Sequence, residues 1–226
     1  MPGSTLEWPD RAAVPQPGLF VVFEGGEGAG KSTQSRLLAD RLRAHGDVVH
    51  TREPGGTPVG EAVRAVVLDP AHEGMSDRAE ALLFAAARGE HVHRVVRPAL
   101  ERGAVVVCDR YLDSSVAYQG VGRSLGAEAV AGLSLWATLG LLPDLTVLLD
   151  VDPALGLARV DDPNRLEGES LEFHREVRAG FLALAAADPP RYLVVDASRE
   201  PAAIAAEVAA RVEALLASRA GTQVTP

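Results

Sequence analysis

The feature that most constrains this chain is a glycine-rich segment at residues 25–32, with the sequence GGEGAGKS. It follows a short apolar run, LFVVFE at 19–24, and precedes a helical pattern that begins near Lys31. The spacing matches G-x-x-x-x-G-K-S/T, a loop whose backbone N–H groups surround phosphate oxygens between a strand and a helix. A strand, loop and helix in this order predict a fold built around a parallel sheet, and a ligand that carries phosphate.

Short β-branched runs alternate with longer helical patterns along the chain. The runs predict strands at 19–24, 47–51, 104–109, 145–151 and 191–196. Apolar spacing predicts helices at 31–45, 58–68, 77–102, 126–140, 168–187 and 200–218. This alternation predicts an α/β fold of the P-loop NTPase-like kind, with three layers, in which helices flank a five-stranded parallel sheet.

The two ends of the chain lack this periodicity. Residues 1–18 contain four prolines and are expected to form a disordered tail, and residues 219–226 are expected to form a second, flexible tail. Between them, residues 19–218 are the length of one ordinary domain.

Composition excludes several classes of function. A formal charge of −9 disfavours a nucleic-acid-binding face, and no apolar run approaches the length of a membrane span. The single cysteine, Cys108, excludes an internal disulfide and a cysteine-cluster metal site, and it favours a reducing compartment. We therefore expect a cytoplasmic protein with neither a nucleic acid nor a membrane as partner.

The glycine loop predicts a specific set of phosphate contacts. Lys31 is expected to reach the β- and γ-phosphates of a nucleotide, and the Ser32 hydroxyl is expected to bind Mg²⁺. Lys31 is also the single lysine of the chain. The chain therefore cannot contain the Asn-Lys-x-Asp element with which small GTPases bind guanine.

A second group of charged residues follows the next two strands along the chain. Arg52 and Arg110 each come directly after a predicted strand. Two arginines at that edge of the sheet suit a second phosphorylated substrate, because guanidinium groups bind phosphate oxygens in pairs. Asp109 has two open interpretations: it binds Mg²⁺, directly or through water, or it orients Arg110.

Five segments together resemble one family. They are FEGGEGAGKST (23–33), TREPGGT (51–57), AEALLFAAAR (79–88), DRYLDSSVAYQG (109–120) and PDLTVLLDVDP (143–153). In this order and spacing they resemble thymidylate kinase of the bacterial type, over about residues 19–215. The resemblance implies a Mg²⁺-dependent homodimer that transfers the γ-phosphoryl group of ATP to dTMP.

The resemblance also implies roles for individual residues. It implies that ATP is bound by Gly25, Gly26, Glu27, Gly28, Ala29, Gly30, Lys31, Ser32 and Thr33. It implies that dTMP is bound by Glu27, Arg52, Phe84, Arg88, Arg110, Ser115, Tyr118 and Gln119. In this assignment Phe84 stacks on thymine and Arg88 bonds a carbonyl edge of the base. Arg110 holds the phosphate, Gln119 contacts the base, Ser115 and Tyr118 line the sugar, and Glu27 lies near the 3′-hydroxyl or the metal.

From the residues alone, other interpretations of these positions stay open. Phe84 fits a core position of an amphipathic helix, Arg88 a solvated charge, and Tyr118 a packing residue.

The segment 157–170, LARVDDPNRLEGES, is expected to form a short lid. The phosphate loop contains no arginine, and in family members of this kind arginines of the lid close over ATP. Arg159 and Arg165 are therefore the predicted transition-state cations, which makes Lys31, Arg110, Arg159 and Arg165 the predicted catalytic set. The predicted metal-binding residues are Ser32, Asp109 and Glu167.

Two rival functions follow from the same motifs. One is a kinase for another deoxynucleoside monophosphate or for a nucleoside. The other is an ATP-binding regulatory or assembly protein that uses the loop as a switch.

Overall fold

The computed structural model describes residues 17–44 and 46–222. Its strands are β1 Leu19–Glu24, β2 Val48–Arg52, β3 Val105–Asp109, β4 Leu145–Asp150 and β5 Tyr192–Asp196. They form one parallel sheet in the order β2-β3-β1-β4-β5, with β1 in the centre. The predicted five-stranded parallel sheet is confirmed.

Nine α-helices flank the sheet or cover its edge in the described part of the chain. They are α1 Lys31–Leu42, α2 Pro58–Leu68, α3 Asp77–His91, α4 Arg97–Glu101, α5 Leu112–Ser115, α6 Ala127–Thr138, α7 Pro153–Leu157, α8 Leu171–Ala187 and α9 Pro201–Thr222. Two π-helical segments, Val92–Val96 and Val116–Gly122, continue α3 and α5, and two short 3₁₀ turns lie at Pro70–His72 and Pro189–Arg191.

The central strand β1 is buried on both faces, which explains its unbroken apolar sequence. Alternate side chains of the strand point to opposite faces of the sheet. Leu19, Val21 and Phe23 pack with apolar residues of α1 and α9 on one face. Phe20 and Val22 pack with residues around α4 on the other. The phosphate loop therefore leaves a strand that is fixed from both sides.

The helix N-termini fall into two kinds. α2, α3 and α8 begin with side-chain caps, in which Thr57, Ser76 and Ser170 each accept a bond from a backbone N–H of the first turn. α1 instead begins after Gly30, at φ 89°, with no side-chain cap. The first N–H groups of α1 are therefore available to a ligand.

Several boundaries differ from the sequence-based predictions. The helix predicted at 77–102 is interrupted by the π-helical segment, and α5, its π-helical continuation and α7 are not predicted at all. Helix α9 ends at Thr222, and its Arg219 donates to the Gly18 carbonyl and pairs with Asp144. Residues 219–222 are therefore helical rather than part of a tail.

The remaining tail predictions, for residues 1–16 and 223–226, lie outside the described residues. Within those that are described, the helices are too short or too polar to cross a lipid bilayer.

Candidate active site

A cavity of about 410 Å³ lies at the carboxyl edge of the sheet. Its walls come from the phosphate loop, α2, α3, the end of β3, the α5 region and the lid. The predicted site residues that line it are Glu27, Gly28, Gly30, Lys31, Ser32, Thr33, Arg52, Phe84, Asp109, Arg110, Ser115, Tyr118, Gln119, Arg159 and Glu167. Five predicted residues do not line it: Gly25, Gly26, Ala29, Arg88 and Arg165.

The phosphate loop owes its shape to its glycines. Gly28 and Gly30 have φ values of 63° and 89°, which residues with a side chain rarely adopt. Lys31 is buried, and its Nζ donates to the Gly26 carbonyl at 2.6 Å. Gly26 shapes the loop from outside the cavity, whereas Ala29 packs into the core beside β1.

The charges around the loop are strongly coupled. Burial and the neighbouring Arg110 lower the pKa of Lys31 to about 8, although Glu27 and Asp109 oppose the change. Burial would raise the pKa of Glu27, but Arg110 and Lys31 outweigh it and lower that pKa to about 2. The loop therefore presents an ionised carboxylate between two cations.

Arg110 is the central cation of the cavity. Its Nη1 donates to the Gly25 carbonyl at 3.0 Å, and its Nη2 donates to Glu27 Oε1 at 2.8 Å. The guanidinium lies 5.3 Å from the centre of the Tyr118 ring, and the Tyr118 hydroxyl donates to Glu27 at 2.6 Å. Arg110 has φ 68°, a strained value for a residue with a side chain. Such strain is typical of a residue whose position serves a function.

Glu24, at the end of β1, holds the turn that follows Arg110. Its carboxylate accepts bonds from the N–H groups of Tyr111 and Ser114 and from the Ser114 hydroxyl. Burial and the nearby Asp113 raise the pKa of Glu24 to about 7. The sequence-based prediction missed Ser114, whose hydroxyl also accepts from Arg110 at 3.1 Å and which lines the cavity.

Two further arginines surround the acceptor end of the cavity. Arg52 is half exposed and pairs with both carboxylate oxygens of Glu61, at 2.8 and 3.0 Å. Arg64 donates to the Pro54 carbonyl at 3.0 Å, and no carboxylate pairs with it in the described part of the chain. Burial and the charge of Arg52 lower the pKa of Arg64. Because Arg52 is paired with Glu61, Arg64 carries the positive charge that a second phosphate group would neutralise.

Arg64 is not predicted as a site residue, because it lies in the middle of an ordinary helical pattern. The feature of the sequence that could have identified Arg64 is its spacing of four residues from Leu68, which also lines the cavity. Residues four apart share one face of a helix, so the pair marks the side of α2 that faces the site.

Arg88, which the resemblance places at the base, does not line the cavity. It is 1% exposed, and it donates to Glu53, Ser134, Ser115 and the Tyr111 carbonyl at distances of 2.8 to 3.2 Å. The guanidinium therefore lies behind the cavity wall, held by Glu53 after β2, by the Tyr111 carbonyl and Ser115 at α5, and by Ser134 of α6. Its contact with the site is indirect, through Ser115.

The lid places its two arginines in different surroundings. Arg159 is exposed, lines the cavity and donates from Nη1 to the Gly28 carbonyl at 3.0 Å. Arg165 is buried away from the cavity, where it pairs with Glu80 at 2.6 Å and donates to the Val67 carbonyl at 2.9 Å. The structure thus brings Arg159, but not Arg165, to the phosphate loop.

The three predicted metal-binding residues supply oxygen atoms to the same cavity. Ser32 Oγ donates to Asp109 Oδ2 at 2.5 Å, and Glu167 Oε2 accepts from the Asn164 N–H at 2.8 Å. No group of three or more His, Cys, Asp or Glu within the described residues could hold a metal. Mg²⁺ is usually bound by one or two protein oxygens together with phosphates and waters. This sparse oxygen set therefore fits Mg²⁺ that arrives with a nucleotide.

Comparison with known proteins matches the sequence and the fold of this chain to one family. The sequence model of the family described as Thymidylate kinase matches residues 23–208. A thymidylate kinase of Clavibacter sepedonicus is 56% identical over 208 residues, 90% of this chain and 98% of that protein. One of Deinococcus radiodurans is 56% identical over 199 residues, 86% of this chain and 96% of that protein. The crystal structure of thymidylate kinase from Ehrlichia chaffeensis matches with a TM-score of 0.73 and 33% identity, over 87% of this chain and 98% of that one. The chain belongs to the thymidylate kinase family.

Proposed function

We propose that the protein transfers the γ-phosphoryl group of ATP to dTMP, giving ADP and dTDP, a step in the synthesis of dTTP. One observation carries the proposal: a single cavity is lined by a phosphate loop and by Arg52, Arg64 and Arg110. Two phosphate sites in one cavity suit a reaction between two phosphorylated substrates. A regulatory switch that binds one nucleotide needs only the first of these sites.

The reaction requires alignment and positive charge more than it requires acid–base catalysis. The second pKa of a phosphomonoester is about 6, so the acceptor phosphate of dTMP is anionic near neutral pH without help from a general base. The charge of the migrating group must be stabilised, and the two substrates must be held in line.

The donor side of the site is the loop and the start of α1. The uncapped N–H groups of α1 and the Lys31 ammonium bind the β- and γ-phosphates of ATP. Lys31 leaves its bond to the Gly26 carbonyl when phosphate oxygens replace that acceptor. Arg159, which already contacts the loop, supplies the positive charge of the lid.

The acceptor side holds the phosphate and the nucleoside of dTMP. Arg110 binds the phosphate, and Arg52 and Arg64 add positive charge around it. Phe84 lines the cavity from α3 and stacks on the thymine. The Tyr118 ring is 4% exposed and is held by its bond to Glu27. Against C2′ of the sugar, its bulk would exclude a ribose 2′-hydroxyl.

Ser115 and Gln119 complete the nucleoside site from the π-helical segment and the short helix before it. Ser115 lines the cavity while it accepts from Arg88 at 3.0 Å. Gln119 lines the cavity as well and contacts the base. Arg88 acts on the site through Ser115.

Ser32 and Asp109 would hold Mg²⁺, with Glu167 at the lid side of the same cavity. When bound, the ion neutralises phosphate charge. Asp109 accepts from Ser32, and among the described residues it accepts no hydrogen bond from the Arg110 guanidinium, so its position favours the metal-binding interpretation.

The protein is a cytoplasmic homodimer in this proposal. Its single cysteine, Cys108, is free, which suits a protein of a reducing compartment. Exposed apolar side chains on α2, α3 and α6 support a dimer in which these three helices form the interface between the two copies.

An assay of ADP release across a panel of acceptors tests the proposed function. With ATP and Mg²⁺, dTMP should give the highest kcat/KM among dTMP, dCMP, dGMP and thymidine. Faster turnover of one of the other acceptors would assign the chain to a different kinase reaction. ATP-dependent binding of a protein partner, with no ATP consumption on dTMP, would instead indicate a regulatory protein.

A further inference from the structure

Glu80 is a fully buried carboxylate that none of these roles uses. It lies on α3, one turn before Phe84, and faces the back of Gln119. Its Oε1 accepts from Gln119 Nε2 at 2.8 Å. Its Oε2 lies 2.6 Å from Arg165 and 3.4 Å from Arg123.

These contacts fix the direction of the Gln119 amide. A carboxylate between two guanidinium groups only accepts hydrogen bonds, so Gln119 must turn its NH₂ group toward Glu80. The amide oxygen then occupies the other branch of the side chain. No other group of the described chain is hydrogen-bonded to the Gln119 side chain, and Gln119, which is 1% exposed, lines the cavity. The oxygen is therefore left for a ligand.

A fixed amide oxygen can distinguish pyrimidine bases. Thymine and uracil carry a donor, the imide N3–H, whereas cytosine has an acceptor at N3 and a donor at its amino group. An amide that could rotate would match either pattern, by offering its oxygen to one base and its NH₂ group to the other. An amide held in one orientation favours the imide, because the wrong base leaves polar groups unpaired.

We propose that Glu80 is a positioning residue for base selection: by holding the NH₂ group of Gln119, it presents an acceptor to the base and so favours an imide over cytosine. Helix α3 then carries two parts of the base site, since Phe84 and Glu80 are four residues apart on one face. The inference rests on the proposed binding of dTMP beside Gln119.

The test is the variant Glu80→Gln, measured as the ratio of kcat/KM for dTMP to kcat/KM for dCMP. A glutamine at this position can donate to Gln119 and so releases its orientation. The ratio should fall by at least about tenfold, mainly through a higher KM for dTMP, with the KM for ATP nearly unchanged. An unchanged ratio, with both activities lowered together, would reduce Glu80 to a structural role.

Arg123→Gln is the matched control, because it removes one ion pair of Glu80 and leaves the bond to Gln119 in place. Arg123 also pairs with Glu169 of the lid. A weakened lid affects both acceptors equally, so the ratio for this variant should equal that of the unmodified protein. If Glu80→Gln does not fold, the double variant E80Q/R165Q also removes the buried guanidinium that faces Glu80, and it is judged by the same ratio.

Gln119→Met separates failure of the inference from failure of the binding mode. A lower ratio in this variant, together with an unchanged ratio in Glu80→Gln, would overturn the role of Glu80 and leave Gln119 at the base. An unchanged ratio in Gln119→Met would remove Gln119 from the base and overturn the inference with it. Absence of dTMP turnover in the unmodified protein would contradict the proposed function itself.

Discussion

Arg159 and Arg165 are both arginines of the same short lid segment, yet they lie in different electrostatic surroundings. A cation lowers the barrier of phosphoryl transfer only where charge develops, beside the migrating group. Arg159 reaches the phosphate loop and is exposed, whereas the Arg165 side chain is 6% exposed and paired with Glu80. We therefore propose that Arg159 stabilises the transition state and that Arg165 anchors the lid.

Arg159→Ala should lower kcat by about a hundredfold or more, with a smaller change in the KM for dTMP. Arg165→Ala should have a smaller effect on kcat and a larger effect on stability, because it leaves a buried carboxylate with one partner fewer. Steady-state kinetics and thermal unfolding of both variants measure the difference, and Arg175→Ala, on the surface of α8, is the control. A large loss of kcat in Arg165→Ala at unchanged melting temperature would instead indicate that Arg165 stabilises the transition state.

Lys31 should make the affinity for nucleotide depend on pH. Its pKa of about 8 in the free protein means that the ammonium loses its proton as pH rises through that value. Phosphate binds the charged form, so affinity for MgADP should be nearly constant from about pH 6.5 to 7.5 and should fall toward about tenfold per pH unit above the pKa. Calorimetric titration from pH 6.5 to 9.5 measures it, and a flat profile to pH 9.5 would contradict the pKa assigned to Lys31.

The sequence predicts the residues of the site where their geometry is local. The phosphate loop is such a case, because its glycines, Lys31 and the start of α1 are adjacent in the chain. Arg88 and Arg165 are predicted at the cavity but lie behind it, because Glu53 and Glu80 hold them from positions far away in sequence. A pattern of residue types cannot show which of several carboxylates will pair with an arginine.

At the scale of elements, α7 supports the phosphate loop from below. A side chain at Gly156 would place its Cβ 2.2 Å from the Glu27 carbonyl, and one at Gly28 would place its Cβ 2.0 Å from the Gly156 carbonyl. The two backbones are thus in direct contact, and glycine is required on both sides. The backbone of α7 therefore limits how closely the phosphate loop can approach it, and so helps to set the position of the loop.

Gly156→Ala should lower kcat/KM for ATP by at least about tenfold, although alanine favours a helix over glycine. The reason is steric: the new methyl group must displace the Glu27 carbonyl and with it the loop. ATP kinetics and thermal unfolding of the variant measure the effect. Leu155→Ala, at an exposed position of the same helix, should remain close to the unmodified protein. Normal kinetics in Gly156→Ala would show that the loop does not need this support.

The elements that the sequence misses are short or irregular. α5 has four residues and α7 has five, too few to show a period, and the segment Val116–Gly122 is π-helical. That segment carries Tyr118 and Gln119, neighbours in sequence that both line the cavity. The long strands and helices are predicted because their apolar residues recur at the regular spacing of a strand or an α-helix. The π-helical segment does not follow the α-helical spacing, so that spacing does not predict it.

At the scale of the whole molecule, one layer of helices leaves apolar side chains in solvent. α2 packs against α3 and α3 against α6. The exposed apolar residues of this layer are Val59, Val66, Leu82, Trp136 and Leu139. Trp136 and Leu139 are each 79% exposed, which is unusual for side chains of this size. A second copy of the chain would bury them.

Trp136→Asp should convert the proposed dimer to a monomer, because a carboxylate at the centre of an apolar interface loses its hydration without gaining a partner. Sedimentation equilibrium measures the mass, and Val194→Asp, an exposed apolar position on β5, is the matched control that should stay dimeric. A monomeric unmodified protein would contradict the dimer.

The KM for dTMP should also rise in the monomer, because α3 carries Leu82 on its outer face and Phe84 in the cavity. Loss of the partner would thus disturb the base site through α3, because this helix belongs both to the proposed dimer interface and to the cavity wall.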